Sequence, residues 1–105
     1  MTFDERLAEQ IRERLGSVAN VEEKRIFGGI AFMVDGNMAV AASGNGGLLV
    51  RVDPADGEAL IASTHARPME MRGRTMMGWL RVDPVDDLDA WVERGLAYVR
   101  TLPPK

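Results

Sequence analysis

Four arginines in the second half of the chain are the residues best suited to do chemistry, and that chemistry is the binding of an anion. Arg67, Arg72, Arg74 and Arg81 lie close together, and Glu70 is the acidic residue among them. A guanidinium donates paired hydrogen bonds to a carboxylate or a phosphate. The same residues also suit a solvated strand edge, where positive charge opposes aggregation. We therefore interpret Arg67, Arg72 and Arg74 as candidate contacts for an anion or an acidic partner, with the solvated edge as the alternative.

No other combination of side chains predicts catalysis. The chain has one histidine, His65, and no cysteine, so the sequence offers neither a thiolate nor a site of several histidines for a metal. None of its serines sits in the sharp strand-to-helix turn that exposes a nucleophile. The glycine-rich stretches at 28–29 and 43–47 lack the context of a phosphate-binding loop, so we expect them to be turns. We predict a non-enzymatic domain without a metal or a cofactor.

Composition predicts one folded domain over residues 1–105 in the cytoplasm. Hydrophobic residues make up 46% and charged residues 28% of the chain, as in globular domains. No apolar run approaches the roughly 20 residues of a bilayer span, and the acidic start MTFDERLAEQ differs from a signal peptide. The formal net charge of −3 opposes the charge of a phosphate backbone, so we do not expect direct binding of nucleic acid.

The hydrophobic pattern predicts an α+β fold. Phe3, Leu7, Ile11 and Leu15 share one face of a first helix, for which Thr2 is the expected cap. The turn at 35–37, Asp-Gly-Asn, predicts a hairpin between two strands. The expected elements after the first helix are an extended stretch from Lys24, strands at 30–34, 38–42 and 48–52, a helix from Asp53-Pro54 to about Ser63, strands at 68–72 and 76–82, and a last helix that begins near Asp86 or Asp87 and ends before Pro103.

This order, α-β-β-β-α-β-β-α, predicts two layers: an antiparallel sheet of about five strands with the helices on one face. Alternation along the strands then predicts that Met38 points toward the helices and that Ala39 points away from them. The face away from the helices is apolar, which usually marks an interface. The alternatives are that a terminal element or a loop covers this face or that a bulge shifts the pattern by one residue. The predicted interaction surface comprises Met33, Leu49, Arg51, Met77, Trp79 and Arg81, and a homodimer would cover it with one patch serving both sides.

The run from Arg25 to Met38, RIFGGIAFMVDGNM, resembles the N-terminal domain of the TfoX/Sxy family of competence regulators. Further segments agree in the same order along nearly the whole chain. They are Leu49-Val50-Arg51-Val52, Pro68-Met69-Glu70-Met71, Gly73-Arg74, Met76-Met77-Gly78-Trp79, and a closing helix with Trp91 before Leu102-Pro103-Pro104.

This resemblance implies the same order of elements around an antiparallel sheet. Full-length members of the family carry a second, helical domain and act as positive regulators of natural competence genes, alongside a cyclic-AMP receptor protein. The sequence ends at Lys105, so we expect a stand-alone N-terminal domain. We predict a protein-interaction module that assists transcription or competence regulation, with another copy or a transcription regulator as its partner. A small-molecule or anion-binding domain that uses the Arg67–Arg81 region is the alternative.

Overall fold

The fold combines three helices with six strands in the part of the chain that the structure, a computed structural model, describes. That part comprises residues 4–26, 28–44, 46–71, 73–83 and 85–104. The elements are α1 (Glu5–Arg14), β1 (Val21–Ile26), β2 (Gly29–Val34), β3 (Asn37–Ala42), β4 (Leu48–Arg51), α2 (Pro54–Ser63), β5 (Arg67–Met71), β6 (Arg74–Val82) and α3 (Leu88–Val99).

All six strands belong to one antiparallel sheet in the order β1-β2-β3-β4-β6-β5. The predicted α+β class is confirmed, but the predicted number of about five strands is wrong. The missed strand is β1, of which only an extended stretch from Lys24 was expected. Its residues, VEEKRI, are mostly charged and exposed, so they lack the alternation that marks a half-buried strand. Charged side chains are typical of a sheet edge, which is where β1 lies.

Short polar side chains fix where the first two helices begin. The carboxylate of Asp4 accepts hydrogen bonds from the backbone N–H groups of Arg6 (3.0 Å) and Leu7 (3.1 Å), so α1 begins after Asp4. Thr2, the cap predicted from the sequence, lies outside the described residues. In α2 the predicted cap is confirmed, because Asp53 accepts a hydrogen bond of 2.9 Å from the backbone of Ala55.

The core lies between the helices and one face of the sheet. The stripe predicted for the first helix is confirmed at Leu7, Ile11 and Leu15, which are all buried, and Phe3 lies outside the described residues. Phe32 from β2 and Trp91 from α3 are the largest of the fully buried side chains. Helix α3 packs on β3 and β4, α2 packs on β6 and β5, and α1 contacts both α3 and β3. All three helices therefore pack against the core on the same face of the sheet.

A β-bulge between β2 and β3 corrects the predicted facing of two residues. Phe32 pairs with Val40, but Met33 pairs with Met38, so Ala39 is an extra residue in β3. Ala39 consequently joins the core, where the sequence predicted an outward position. Met38 was predicted to point toward the helices and instead lines the opposite face. The alternation holds again from Val40 onward.

Candidate binding surface

The face of the sheet that the helices leave uncovered forms a hollow of about 850 Å³, which we call the outer cavity. Residues of all six strands line it, including Ile26 of β1 and Arg67 of β5. Because β1 and β5 lie at opposite edges of the sheet, the sheet curves around this hollow. Its described lining is Ile26, Gly29, Ile30, Met38, Ala41, Ala42, Ser43, Gly44, Leu49, Arg67, Pro68, Met69, Glu70, Thr75, Trp79 and Arg81.

The floor of the outer cavity is apolar and only partly shielded from solvent. Leu49 and Trp79 lie on the neighbouring strands β4 and β6, and each is half-buried. Ala41 lies directly opposite Leu49 on the other side, and Ala31 lies opposite Ala41. Both alanines are buried, and only Ala41 belongs to the lining of the cavity. Met38 stands nearby because of the β-bulge.

Two arginines form one wall of the outer cavity. Arg67 of β5 and Arg81 of β6 are directly opposite each other in the sheet. Arg81 donates hydrogen bonds to the Ser43 hydroxyl (3.2 Å) and to the Gly46 carbonyl (2.7 Å), and its guanidinium lies 3.8 Å from Asp83. Arg81 therefore holds the loop between β3 and β4, part of which also lines the cavity.

Arg67 is exposed, whereas Arg81 is half-buried. The side chain of Arg67 makes no hydrogen bond or ion pair with any residue in the described part of the chain. Glu70 also lines the cavity and is exposed, but it is not paired with Arg67. This wall consequently carries a positive charge that no described side chain balances.

Arg51 supports Trp79 from outside the cavity. Its guanidinium carbon lies 5.2 Å from the centre of the Trp79 ring and 5.7 Å from that of Tyr98 in α3. Such a cation–π contact contributes about 0.5–1 kcal/mol at an exposed site. The contact restrains the indole of Trp79 in β6 beside Arg51, the last residue of β4.

The structure brings together part of the surface predicted from the sequence. Leu49, Trp79, Arg81 and Arg67 line the outer cavity, and Arg51 touches Trp79. Met33 is half-buried opposite Met38, and Arg74 is exposed at the start of β6; neither is among the lining residues. Two predicted residues lie outside what the structure describes, namely Arg72 and the side chain of Met77.

Sequence reasoning missed Met38 and Ile26 as members of this site. Met38 was assigned to the core because a strict alternation cannot reveal a bulge. Ile26 follows charged residues and was not assigned to a strand face, although it is 37% exposed, a large value for an apolar side chain. An exposed isoleucine at the end of a mostly charged edge strand is the signal that could have indicated an apolar contact at this edge of the cavity.

Chemically, the outer cavity can bury an apolar group and pair an anion with Arg67. Among the described residues no cluster of His, Asp or Glu could hold a metal ion. His65, which follows the end of α2, is exposed and is not among the lining residues. Its Nε2 lies 3.6 Å from a carboxylate oxygen of Asp86. Within that same part of the chain, no helix has the length and apolar character needed to cross a membrane.

A separate ion pair lies on the helix side of the sheet. Arg12 of α1 donates to both carboxylate oxygens of Glu23 in β1, one of them at 2.8 Å. The hydrogen bonds from Arg12 lower the pKa of the Glu23 carboxyl below its usual value. This pair ties the exposed edge strand to α1 and is not part of the outer cavity.

A family model of the TfoX N-terminal domain matches residues 13–98, a span that contains every described strand and the whole lining of the outer cavity. The chain belongs to the TfoX N-terminal domain family. The resemblance seen in the sequence is thereby confirmed. A comparison with curated proteins gives no match, and neither does a comparison with solved structures. The outer cavity is thus a feature of a TfoX N-terminal domain and lies within the matched segment.

Proposed function

We propose that this TfoX N-terminal domain is a non-enzymatic module that binds a segment of a partner protein in the outer cavity. The observation that carries the proposal is the apolar floor, with Leu49 and Trp79 half-buried on the face without helices. Removing apolar surface from water contributes roughly 25 cal/mol per Å². Folding of this chain alone leaves part of the apolar surface at Leu49 and Trp79 in contact with water, so a bound partner could still gain this free energy. Tryptophan is also among the residues that dominate binding energies at interfaces.

The shape of the surface supports a segment of another protein over a second copy of the chain. A symmetric homodimer through this face would set one hollow against the same hollow, because both partners present the same patch. A strand, a helix or a loop is convex and can enter. We therefore propose a partner segment as the occupant, in place of the homodimer predicted from the sequence.

We further propose that the partner is a regulator of transcription and that the domain assists it by contact. The family membership supports this role, since the resemblance is to a competence-regulator domain. The formal net charge of −3 disfavours direct binding to DNA, for which basic residues must outweigh acidic ones. At moderate salt we expect duplex DNA to bind weakly at most.

A small-molecule or anion-binding role is the second candidate. The volume of about 850 Å³ falls within the range of pockets that hold small ligands. Arg67 supplies a charged group that could orient such a ligand at one wall. A thermal-shift screen separates the two roles, because a small ligand would raise the melting temperature without a protein partner.

The test of the proposed function is the affinity of a purified partner for wild-type and Trp79→Ala domains. The partner is first isolated by affinity capture from host lysate and then titrated by calorimetry. Removing an anchoring tryptophan should weaken binding by at least about tenfold. Arg100→Ala, an exposed change at the end of α3, is the matched control and should bind as wild type does. Equal affinities of wild type and Trp79→Ala would overturn the proposal.

A further inference from the structure

The two positive charges that line the outer cavity lie in one row that crosses the sheet, whereas Glu70 lies outside this row, opposite Thr75. In this row Arg67 of β5 faces Arg81 of β6, Arg81 faces Leu49 of β4, and Leu49 faces Ala41 of β3. Residues directly opposite each other in a sheet point to the same face. The row therefore begins with two guanidinium groups and continues over an apolar floor, all within the cavity lining.

The two arginines are not equivalent within this row. Like charges directly opposite each other on neighbouring strands are destabilising. Arg81 is balanced by Asp83 and by its bonds to the loop between β3 and β4. Arg67 is exposed and has no such partner among the described residues. A negative charge arriving at Arg67 would offset the repulsion and form charge-assisted hydrogen bonds that are stronger than neutral ones.

We propose that the segment bound in the outer cavity carries a carboxylate that pairs with Arg67, next to an apolar side chain that contacts Leu49 and Trp79. This inference rests on the proposed function, since it specifies the chemistry of the same partner segment. Arg67 and Leu49 are separated by two strand spacings, or about 10 Å. An extended chain covers that distance in about three residues. The acidic residue of the segment consequently stands about three positions from the apolar anchor.

The row also fixes how the segment crosses the domain. Backbone pairing with a strand edge would place the segment along β1 or β5, whereas the row runs perpendicular to the strands. The acidic residue lies over β5 and β6, and the apolar anchor lies over β4. Binding thus depends on side chains on the sheet face and leaves the backbone edges unused.

Selection of random short peptides displayed on phage tests this inference on the full chain. Wild type should enrich peptides with an apolar residue and an Asp or Glu about three positions away. Arg67→Ala should keep the apolar preference and lose the acidic one, while the control Arg100→Ala should select as wild type does. Replacing the acidic residue of a selected peptide with its amide should weaken binding to wild type by about tenfold and leave binding to Arg67→Ala unchanged.

The possible outcomes separate the two proposals. Apolar peptides without an acidic preference would overturn the carboxylate inference and leave the proposed function standing. An acidic preference that persists in Arg67→Ala would also overturn it, because another group would then receive the charge. If wild type enriches no peptide at all, the proposed binding of a protein segment fails together with this inference.

Discussion

The two faces of the sheet use neighbouring residues of one strand in different ways. In β4, Leu48 and Val50 are fully buried beneath the helices, whereas Leu49 and Arg51 are half-buried on the face of the outer cavity. The helix side is a filled core that stabilises the fold. The cavity side carries apolar surface that remains partly exposed to solvent after folding. If the outer cavity binds a partner as we propose, stability and binding depend on opposite faces, and a change on one face should leave the property of the other nearly intact.

The largest effects are expected from comparing Leu48→Ala with Leu49→Ala. Loss of the fully buried Leu48 side chain should lower the free energy of unfolding by about 2–5 kcal/mol. Loss of the half-buried Leu49 side chain should cost less than about 1.5 kcal/mol. Urea denaturation measures both values, and the partner affinity of Leu49→Ala should fall. Similar losses of stability in the two variants would contradict the claim that the helix face contributes more to stability than the cavity face.

Gly95→Ala tests how closely the helix side is packed. A Cβ at Gly95 would lie 2.7 Å from the carbonyl oxygen of Ala39, the bulged residue of β3. Alanine normally favours a helix over glycine by roughly 0.5–1 kcal/mol, yet here the crowding should destabilise the fold by about 1–3 kcal/mol. Thermal unfolding gives the sign directly. A higher melting temperature in Gly95→Ala would show that α3 is not pressed against β3.

The smallest effect is expected at the ion pair between Arg12 and Glu23. Since the pKa of Glu23 is lowered in the fold, its contribution is present above the usual carboxyl pKa of 4.5 and is lost as the pH falls through the folded value. Both side chains are largely exposed, so the contribution is only about 0.5 kcal/mol. Glu23→Gln should lower stability at pH 7 and match wild type near pH 3. A difference that persists at acidic pH would assign the effect to packing.

Local patterns in the sequence predicted the elements whose signals are local. The spacing of Leu7, Ile11 and Leu15 fixed α1, and the turn Asp35-Gly36 joins β2 to β3, with positive φ angles of 51° and 83° that suit a tight hairpin. Strand β1 was not predicted because its residues are mostly charged. An edge strand need not alternate apolar and polar residues, so the pattern that indicates a strand is absent there.

The errors at the candidate site come from contacts between distant segments. The facing of Met38 depends on a bulge where α3 approaches β3 through Gly95, and a single strand does not show this. The binding of the β3–β4 loop by Arg81 depends on a residue 38 positions away. Leu49 and Trp79 were predicted on the correct face because β4 and β6 pair there without a register shift. The hollow itself arises from curvature of the whole sheet, which no single segment encodes.

Methyl NMR of the domain titrated with a selected peptide or a purified partner tests the division between the two faces most directly. Leu48 and Leu49 are neighbours in sequence with methyl groups on opposite faces, so they serve as matched reporters. Our account predicts large shift changes at Leu49 and Met38 and small ones at Leu48 and Val50, with the melting temperature raised by the ligand. Large changes at Leu48 and Val50 with none at Leu49 would contradict it, because the ligand would then act through the helix side.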